Sequence, residues 1–339
     1  MIIYSSPRFA EHTPPPGHPE APERAEVFDA VAAAFAASGG EVRQPRPAAD
    51  EELARVHTAD YLAALRASAG RAAMLDPDTF TSPETYEIAR LAAGAAVDAA
   101  RAAYHGRTAA LVLVRPPGHH AEADRAMGFC LFNNIAIAAA ALRAGGVPRV
   151  AIVDIDVHHG NGTQHTFYAD PTVLYVSSHQ FPYYPGTGAA GETGAGAGRG
   201  FTLNVPLAAG ATDDVCLRAY EERVVPALDA FRPEVVLVSA GYDAHERDPI
   251  ARMRLSASGY AGLTKSLCDL ADRHCHGRLV AATEGGYDLT ALRACLESSI
   301  SVLDGGPVPQ PAEASLAATS RSRTAIAAVR SAQAKYWRL

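Results

Sequence analysis

The chain has 339 residues, of which 48% are hydrophobic and 20% charged, with a net charge of −7 and a mean hydropathy of −0.03. That is enough for one large α/β domain or two ordinary ones, burying roughly three-quarters of the unfolded surface with no need of disulfides or a structural metal. The absence of any basic run argues against sequence-blind nucleic-acid binding. The apolar runs, such as Ile135–Leu142, fall well short of the roughly 18–20 residues of a membrane span.

In chain order, β-branched runs alternate with alanine-rich segments of helical spacing. Strands are predicted at Ile2–Ser5, Glu41–Arg43, Ala110–Val114, Val150–Ile155, Val173–Ser178, Phe201–Pro206, Val235–Ala240 and Leu279–Thr283. Helices are predicted over 20–38, 50–69, 83–104, 133–145, 213–230, 257–275 and 289–303. Several strands are apolar throughout, as strands covered on both faces of a parallel sheet must be. The alternation predicts an open, mostly parallel α/β sheet of about eight strands. No linker divides the pattern, so residues 1–339 read as one domain. The Gly-rich run Gly186–Gly200 reads as a loop, and the Pro-bearing segment Gly305–Pro311 precedes a last helix ending in KYWRL.

The N-terminal MIIYSSPRFAEH lacks the basic and apolar regions of a signal peptide. Cysteines at 130, 216, 268, 275 and 295 do not read as a disulfide framework. The expected compartment is the cytoplasm.

Polar residues follow the strands. Ala110–Val114 runs into RPPGHH, Val150–Ile155 into DVHHGNGT, Val173–Ser178 into His179, Val235–Ala240 into GYD and Leu279–Thr283 into EGGYD. Ligands of open α/β sheets bind outside the carboxyl ends of the strands, so five strand ends converge on one rim. Six of the thirteen histidines lie between His119 and His179. In a strand, residues i and i+2 share a face, which lets Asp156 and His158 reach one metal with Asp154 a step behind. Asp243, from another strand end, could supply a third ligand. Two carboxylates and an imidazole with an open fourth position suit a catalytic zinc, whose bound water is acidified toward a pKa of ~7.

His119 and His120 are adjacent and cannot occupy the same place, so one suits a general base and the other an electrostatic partner. Asp154 and Asn161 are the nearby acceptors that could fix their tautomers. Tyr287 follows Gly285 and Gly286, a bend that could aim its phenol at an oxyanion on a polarised carbonyl. Several other features carry no chemistry. Gly186, Gly188 and Gly191 satisfy G-x-G-x-x-G, but no helix pattern follows. The sequence holds neither a P-loop nor a G-x-S-x-G elbow. His274-Cys275-His276 closes a helix where histidine complements the dipole, and Cys130 reads as a packed thiol.

The chain resembles the zinc-dependent histone deacetylase and acetylpolyamine amidohydrolase superfamily, which has the arginase-like α/β fold. The resemblance rests on HPEAPER (18–24), RPPGHHA (115–121), GFC (128–130), Asn133-Asn134, DIDVHHGNGT (154–163), PGTG (185–188), SAGYDAHERDP (239–249), EGGYD (284–288) and Tyr336-Trp337. It implies zinc held by Asp156, His158 and Asp243. It further implies His120 as general base and then acid, His119 as its partner held by Asp154, and Tyr287 polarising the acyl carbonyl. Phe129 and Tyr184 match the aromatic walls of an acyl-amine tunnel that Gly128 lines, and Arg24 matches an arginine deep behind the metal. A structural potassium is implied at Asp154, Asp156, His158, Ser177 and Ser178, and a second at Phe167, Asp170, Val173 and Phe201.

Asn161 stands where the class I branch carries aspartate, and HHGNG is the pattern of class II and polyamine-type members. An amide cannot stabilise an imidazolium as a carboxylate does, so His120 is expected to have a lower pKa than in class I. Ile250 occupies the position of the glutamate gatekeeper of polyamine-selective members. The short segment between Arg66 and Ser82 lacks the dimerising insertion of bacterial acetylpolyamine amidohydrolases.

The function expected is removal of acetyl or another short acyl group from acetyl-lysine in proteins or peptides, or from acetylpolyamines. Zinc is the expected metal, though this ligand set also suits iron(II). Two alternatives are an arginase-like ureohydrolase, which needs a further carboxylate where Gly160 stands, and a non-catalytic acyl-amine-binding protein, which would lack the base or the tyrosine. The sequence leaves oligomeric state open.

Overall fold

Along the central strands, successive residues enter different cores. Val150 and Ile152 pack into one, Ala151 and Val153 into the other; Val235 and Leu237 likewise oppose Val236 and Val238. This period-of-two split, with both sides apolar, is why these strands carry no polar alternation. The structure, a computed structural model, describes residues 1–308 and 318–338.

The strands are β1 (Ile2–Tyr4), β2 (Glu41–Arg43), β3 (Ala73–Asp76), β4 (Thr79–Thr81), β5 (Ala109–Val112), β6 (Val150–Asp154), β7 (Val173–Gln180), β8 (Thr202–Leu207), β9 (Val235–Ala240) and β10 (Leu279–Thr283). Eight of them form one sheet in the order β2-β1-β5-β10-β9-β6-β7-β8. Every pairing in it is parallel, so all carboxyl ends lie on one rim.

The helices are α1 (Glu23–Ala37), α2 (Asp50–Leu53), α3 (Ala59–Ala67), α4 (Thr85–Gly106), α5 (Asn134–Ala144), α6 (Asn161–Phe167), α7 (Asp213–Ala219), α8 (Val225–Phe231), α9 (Ala257–Cys275), α10 (Leu289–Leu303) and α11 (Ala318–Gln333). The buried side of α4 is almost all alanine, from Ala92 to Ala103, and packs in one core with α5. The other core joins α1, α7, α8, α9 and α10 to the opposite face. This is the expected three-layer α/β/α fold.

Four segments differ from the sequence reading. The helix predicted over 50–69 is broken into α2 and α3. Between them His57 is drawn into the interior, where Nδ1 meets the Glu122 carbonyl at 2.9 Å and Nε2 accepts from Asn133 N at 3.0 Å; Thr58 then caps α3. The helix predicted over 213–230 passes through a π-helical turn at Tyr220–Val224, just ahead of Pro226, which has no N–H to continue an α ladder. The antiparallel hairpin β3–β4 and the short helix α6 were not foreseen as elements. After α11, Trp337 donates Nε1–H to Gly200 O at 2.7 Å. The segment Gly305–Pro311 and the final KYWRL both run into residues outside the described ones.

Candidate active site

The neighbouring ends of β5, β10, β9 and β6 build the site. Strand β6 stops at Asp154, so Asp156 and His158 lie in the turn beyond it rather than on a strand face. Their convergence comes instead from a local hydrogen bond, His158 N–H to Asp156 Oδ1 at 2.9 Å. It sets His158 Nδ1 3.1 Å from Asp156 Oδ1 and 3.2 Å from Asp243 Oδ2. Asp243 arrives from the end of β9, with its Oδ1 accepting Val157 N–H at 2.9 Å. Its Oδ2 is buried and forms no hydrogen bond.

These three residues form a group whose ligand atoms lie within 4.8 Å of one another. A tetrahedral zinc with bonds of roughly 2.0 Å sets its ligand atoms about 3.3 Å apart, so the spacings around His158 fit such an ion. The glycines add to this fit. A Cβ at Gly285 would lie 2.1 Å from Asp243 Oδ2, and one at Gly241 would lie 2.0 Å from Asp156 Oδ2, so the backbone closes around the carboxylates only because side chains are missing there.

The charges point the same way. Burial and the neighbouring Asp156 charge push the Asp243 carboxyl up to about 7. Asp156 is held well below the carboxylate range, because His119 and His158 outweigh its burial. For His158 burial opposes the charge, yet Asp156 and Asp243 lift it to about 10. A divalent cation would displace that proton and relieve the crowded carboxylates.

The two adjacent histidines sit with ring centroids 4.0 Å apart but in opposite surroundings. His119 Nδ1 meets Asp154 Oδ2 at 2.9 Å, and His120 Nδ1 meets Asn161 Oδ1 at 2.7 Å. Burial disfavours charge on His119, but Asp154, Asp156 and Glu284 overcome it and raise its pKa. Burial lowers His120, and the positive fields of His119 and His158 lower it further. A pair pushed apart in this way separates a cation from a neutral base.

Above them is a narrow pocket that opens to solvent. Gly128, Phe129, Tyr184, Ile250 and Tyr287 all line it, with His119, His120, Asp156 and His158 at its foot. The Phe129 and Tyr287 rings meet edge to face at 5.9 Å, and Tyr184 stands edge-on to His120 at 5.1 Å. Gly128 has φ +56°, and a Cβ there would lie 2.4 Å from the His120 ring, so the wall can lean on the base only at a glycine. Arg24 is fully buried. It donates from Nε to Gly286 O at 2.8 Å and lies 5.1 Å from the Tyr287 ring centroid, which fixes the EGGYD loop from behind.

The remaining expected residues lie apart from the pocket. Asp154 is paired in register with Ser177 across β6–β7. The Ser177 hydroxyl meets His179 Nδ1 at 2.9 Å, and that of Ser178 meets Tyr220 at 3.2 Å. Phe167, Asp170, Val173 and Phe201 gather at the other end of β7: Asp170 N–H donates to Phe167 O at 3.0 Å, and Tyr175 N–H to Phe201 O at 2.9 Å.

Residues 18–303 match the family model of the histone deacetylase domain. The chain belongs to the histone deacetylase family, within the superfamily that includes the acetylpolyamine amidohydrolases. It is similar to a histone deacetylase-like amidohydrolase of Pseudomonas aeruginosa, 43% identical over 296 residues that span 85% of this chain and 77% of that one. A probable deacetylase of Archaeoglobus fulgidus is 39% identical over 285 residues, 83% of this chain and 79% of its own. The crystal structure of the HDA15 HD domain superposes with a TM-score of 0.89 at 34% identity, covering 99% of this chain and 97% of that one. Family membership makes the chain a hydrolase. Among the described residues, no helix is long and apolar enough to cross a membrane.

Several supporting residues escaped the sequence reading. Glu284, buried at the end of β10, accepts Gly118 N–H at 2.6 Å and His119 N–H at 3.2 Å, so it sets the RPPGHH turn. Asp248 accepts Tyr287 N–H at 2.8 Å and Ile250 N–H at 3.0 Å. Tyr175 donates its hydroxyl to Gly160 O at 3.0 Å, 3.2 Å from Asp154 Oδ2. Glu284 and Asp248 stand in the quoted EGGYD and HERDP runs, where a carboxylate at a strand end or before proline was the available signal. Asp78, a pocket residue, lies in the turn of β3–β4, and its Asp-Pro-Asp sequence is a turn signal.

Proposed function

We propose that the protein is a zinc-dependent amidohydrolase that removes acetyl, or another short acyl group, from an N-acylated primary amine. The observation that carries the reading is the meeting of the Asp156–His158–Asp243 group with the adjacent His119 and His120 at the foot of one narrow pocket. Asp156, His158 and Asp243 would hold the ion, and iron(II) suits the same donors. The metal supplies Lewis acidity toward water and the acyl carbonyl.

The chain's own groups do the rest. His120, neutral and with Nδ1 directed at Asn161, offers Nε2 to take a proton from the attacking water and return it to the leaving amine. His119, charged and braced by Asp154, stabilises the negative charge that develops beside it. The Tyr287 hydroxyl donates to the tetrahedral oxyanion. Gly128, Phe129 and Tyr184 enclose the acyl-amine stem, and Ile250 presents an apolar rim where polyamine-selective relatives place a carboxylate. That rim supports a peptide-borne acyl-lysine over a polyamine, in keeping with the deacetylase names of the relatives.

The ureohydrolase alternative loses ground at Gly160, where even a Cβ would lie 2.2 Å from Asp154 Oδ2, leaving no room for the extra carboxylate of a second metal. The register of Asp154 with Ser177 supports potassium at the first structural site, and the grouping of Phe167, Asp170, Val173 and Phe201 at the start of β7 supports it at the second. Residues 1–339 act as one catalytic unit, and the cytoplasm is its expected compartment.

The test is kcat/KM for an acetyl-lysine peptide beside N-acetylputrescine and N-acetylspermidine. A peptide preference of about tenfold or more, equal to ~1.4 kcal/mol at the transition state, is expected. A reversed preference overturns the substrate assignment, and no hydrolysis of any short N-acyl amine overturns the activity.

A further inference from the structure

Asn161 is the residue that His120 Nδ1 meets, yet an amide is ambiguous: its oxygen accepts and its nitrogen donates. Which end faces His120 decides which imidazole nitrogen carries the proton. Three groups surround Asn161 Nδ2, namely a Glu122 carboxylate oxygen, His120 O at 3.3 Å and Met127 Sδ at 3.4 Å. All three are acceptors, and only Glu122 is charged. Glu122 is 8% exposed. Its other contact is His165, whose Nδ1 lies 2.8 Å and 3.0 Å from the two carboxylate oxygens.

The backbone makes this arrangement rigid. Asn161 and His165 both belong to α6, and a spacing of four puts them on one helix face against Glu122. The main chain of Glu122 is pinned by Arg125 O at 2.9 Å and by the buried His57 ring at 2.9 Å. Burial opposes the Glu122 charge, but His165 and Asn161 hold the carboxyl below its ordinary value, so at neutral pH it can only accept.

Resting on the amidohydrolase reading, we propose that Glu122 is the positioning residue of the base: it holds the Asn161 amide with Oδ1 toward His120 and thereby keeps the imidazole proton on Nδ1. Nε2 then carries the lone pair that faces the pocket. A reversed amide would turn N–H toward Nδ1, move the imidazole proton to Nε2 and leave no base there. The arrangement also explains the amide at 161, since a carboxylate would stand against Glu122. Positions 122 and 161 are therefore coupled.

The test compares Glu122→Ala and Glu122→Gln in the zinc-loaded chain with an acetyl-lysine peptide. Glutamine can still accept from Asn161, whereas alanine cannot. Loss of an orienting partner costs about 10- to 100-fold, so Glu122→Ala is expected to lower kcat by that factor with KM and zinc content unchanged. Glu122→Gln should recover most of that loss. Parent-like kcat in Glu122→Ala, or an equal loss in both variants, overturns the proposal.

Should Glu122→Ala fail to fold, Asn161→Asp replaces it. Its activity should rise at least about tenfold when Glu122→Gln is added, and no recovery overturns the proposal. If the parent hydrolyses no acylated amine, the amidohydrolase reading fails and ¹⁵N spectra of the histidines decide the tautomer alone. A proton on His120 Nδ1 in the parent that becomes mixed in Glu122→Ala supports the proposal; an unchanged tautomer overturns it.

Discussion

Replacing Tyr287 by phenylalanine removes one oxygen and leaves its surroundings in place. The ring keeps its edge contact with Phe129 at 5.9 Å and its place 5.1 Å from the Arg24 guanidinium, and the main-chain N–H keeps Asp248 at 2.8 Å. Burial, reinforced by Asp243 and Asp156 against the pull of Arg24, lifts the phenol well above its ordinary value. The hydroxyl therefore keeps its proton at neutral pH and can donate a hydrogen bond there. Removing one preorganised oxyanion donor costs roughly 2.7–4 kcal/mol, or about 10²–10³ in kcat. The loss should fall on kcat with KM nearly unchanged, because the donor acts only when charge develops. The assay is steady-state acetate release from an acetyl-lysine peptide, with circular dichroism confirming the fold. A kcat within about threefold of the parent refutes the role given to Tyr287 and weakens the oxyanion geometry.

Two further outcomes follow from close contacts and buried charge. Gly128→Ala places a methyl 2.4 Å from the His120 ring at a φ of +56°. It should cut kcat by about 100-fold, the scale of general-base catalysis, while zinc content measured by elemental analysis stays at the parent level; unimpaired turnover would show that the wall does not touch the base. Glu20 is buried against Arg115, Arg24 and His12, which outweigh its burial and hold its carboxyl well below the usual range. The folded value lies below the unfolded one, so its stabilisation is complete above about pH 4.5 and is lost as pH falls through the depressed folded value. Glu20→Gln breaks a buried pair and should lower stability at neutral pH by about 3–5 kcal/mol, while flattening the acid limb of the urea midpoint against pH. A parent-like limb contradicts that assignment.

The strand pattern was readable because these strands are apolar on both faces and end in abrupt polar runs, so the rim appeared as motif after motif. Asp156, His158 and Asp243 could be grouped from spacing and strand ends, although the turn after Asp154, not a strand face, brings the first two together. What stayed hidden depends on contacts between distant segments. Nothing local marks His57 as the residue that breaks the helix predicted over 50–69; it does so because it reaches Glu122 O and Asn133 N. Glu284 could be seen at a strand end, but its hold on Gly118 and His119 joins β10 to the loop after β5, positions that only the sheet order makes neighbours. Tyr287 and Asn161 were legible as residues, while their orientation was not, since it depends on Arg24, Asp248 and Glu122.

The central claim is that one ion held by Asp156, His158 and Asp243 makes this chain an amidohydrolase. The most direct measurement is elemental analysis of bound metal together with hydrolysis of an acetyl-lysine peptide, in the parent and in Asp243→Asn, before and after chelation. The account predicts one catalytic zinc or iron per parent chain, activity abolished by the chelator and restored by the metal, and neither metal nor turnover in Asp243→Asn. Hydrolysis that survives both chelation and Asp243→Asn would contradict it.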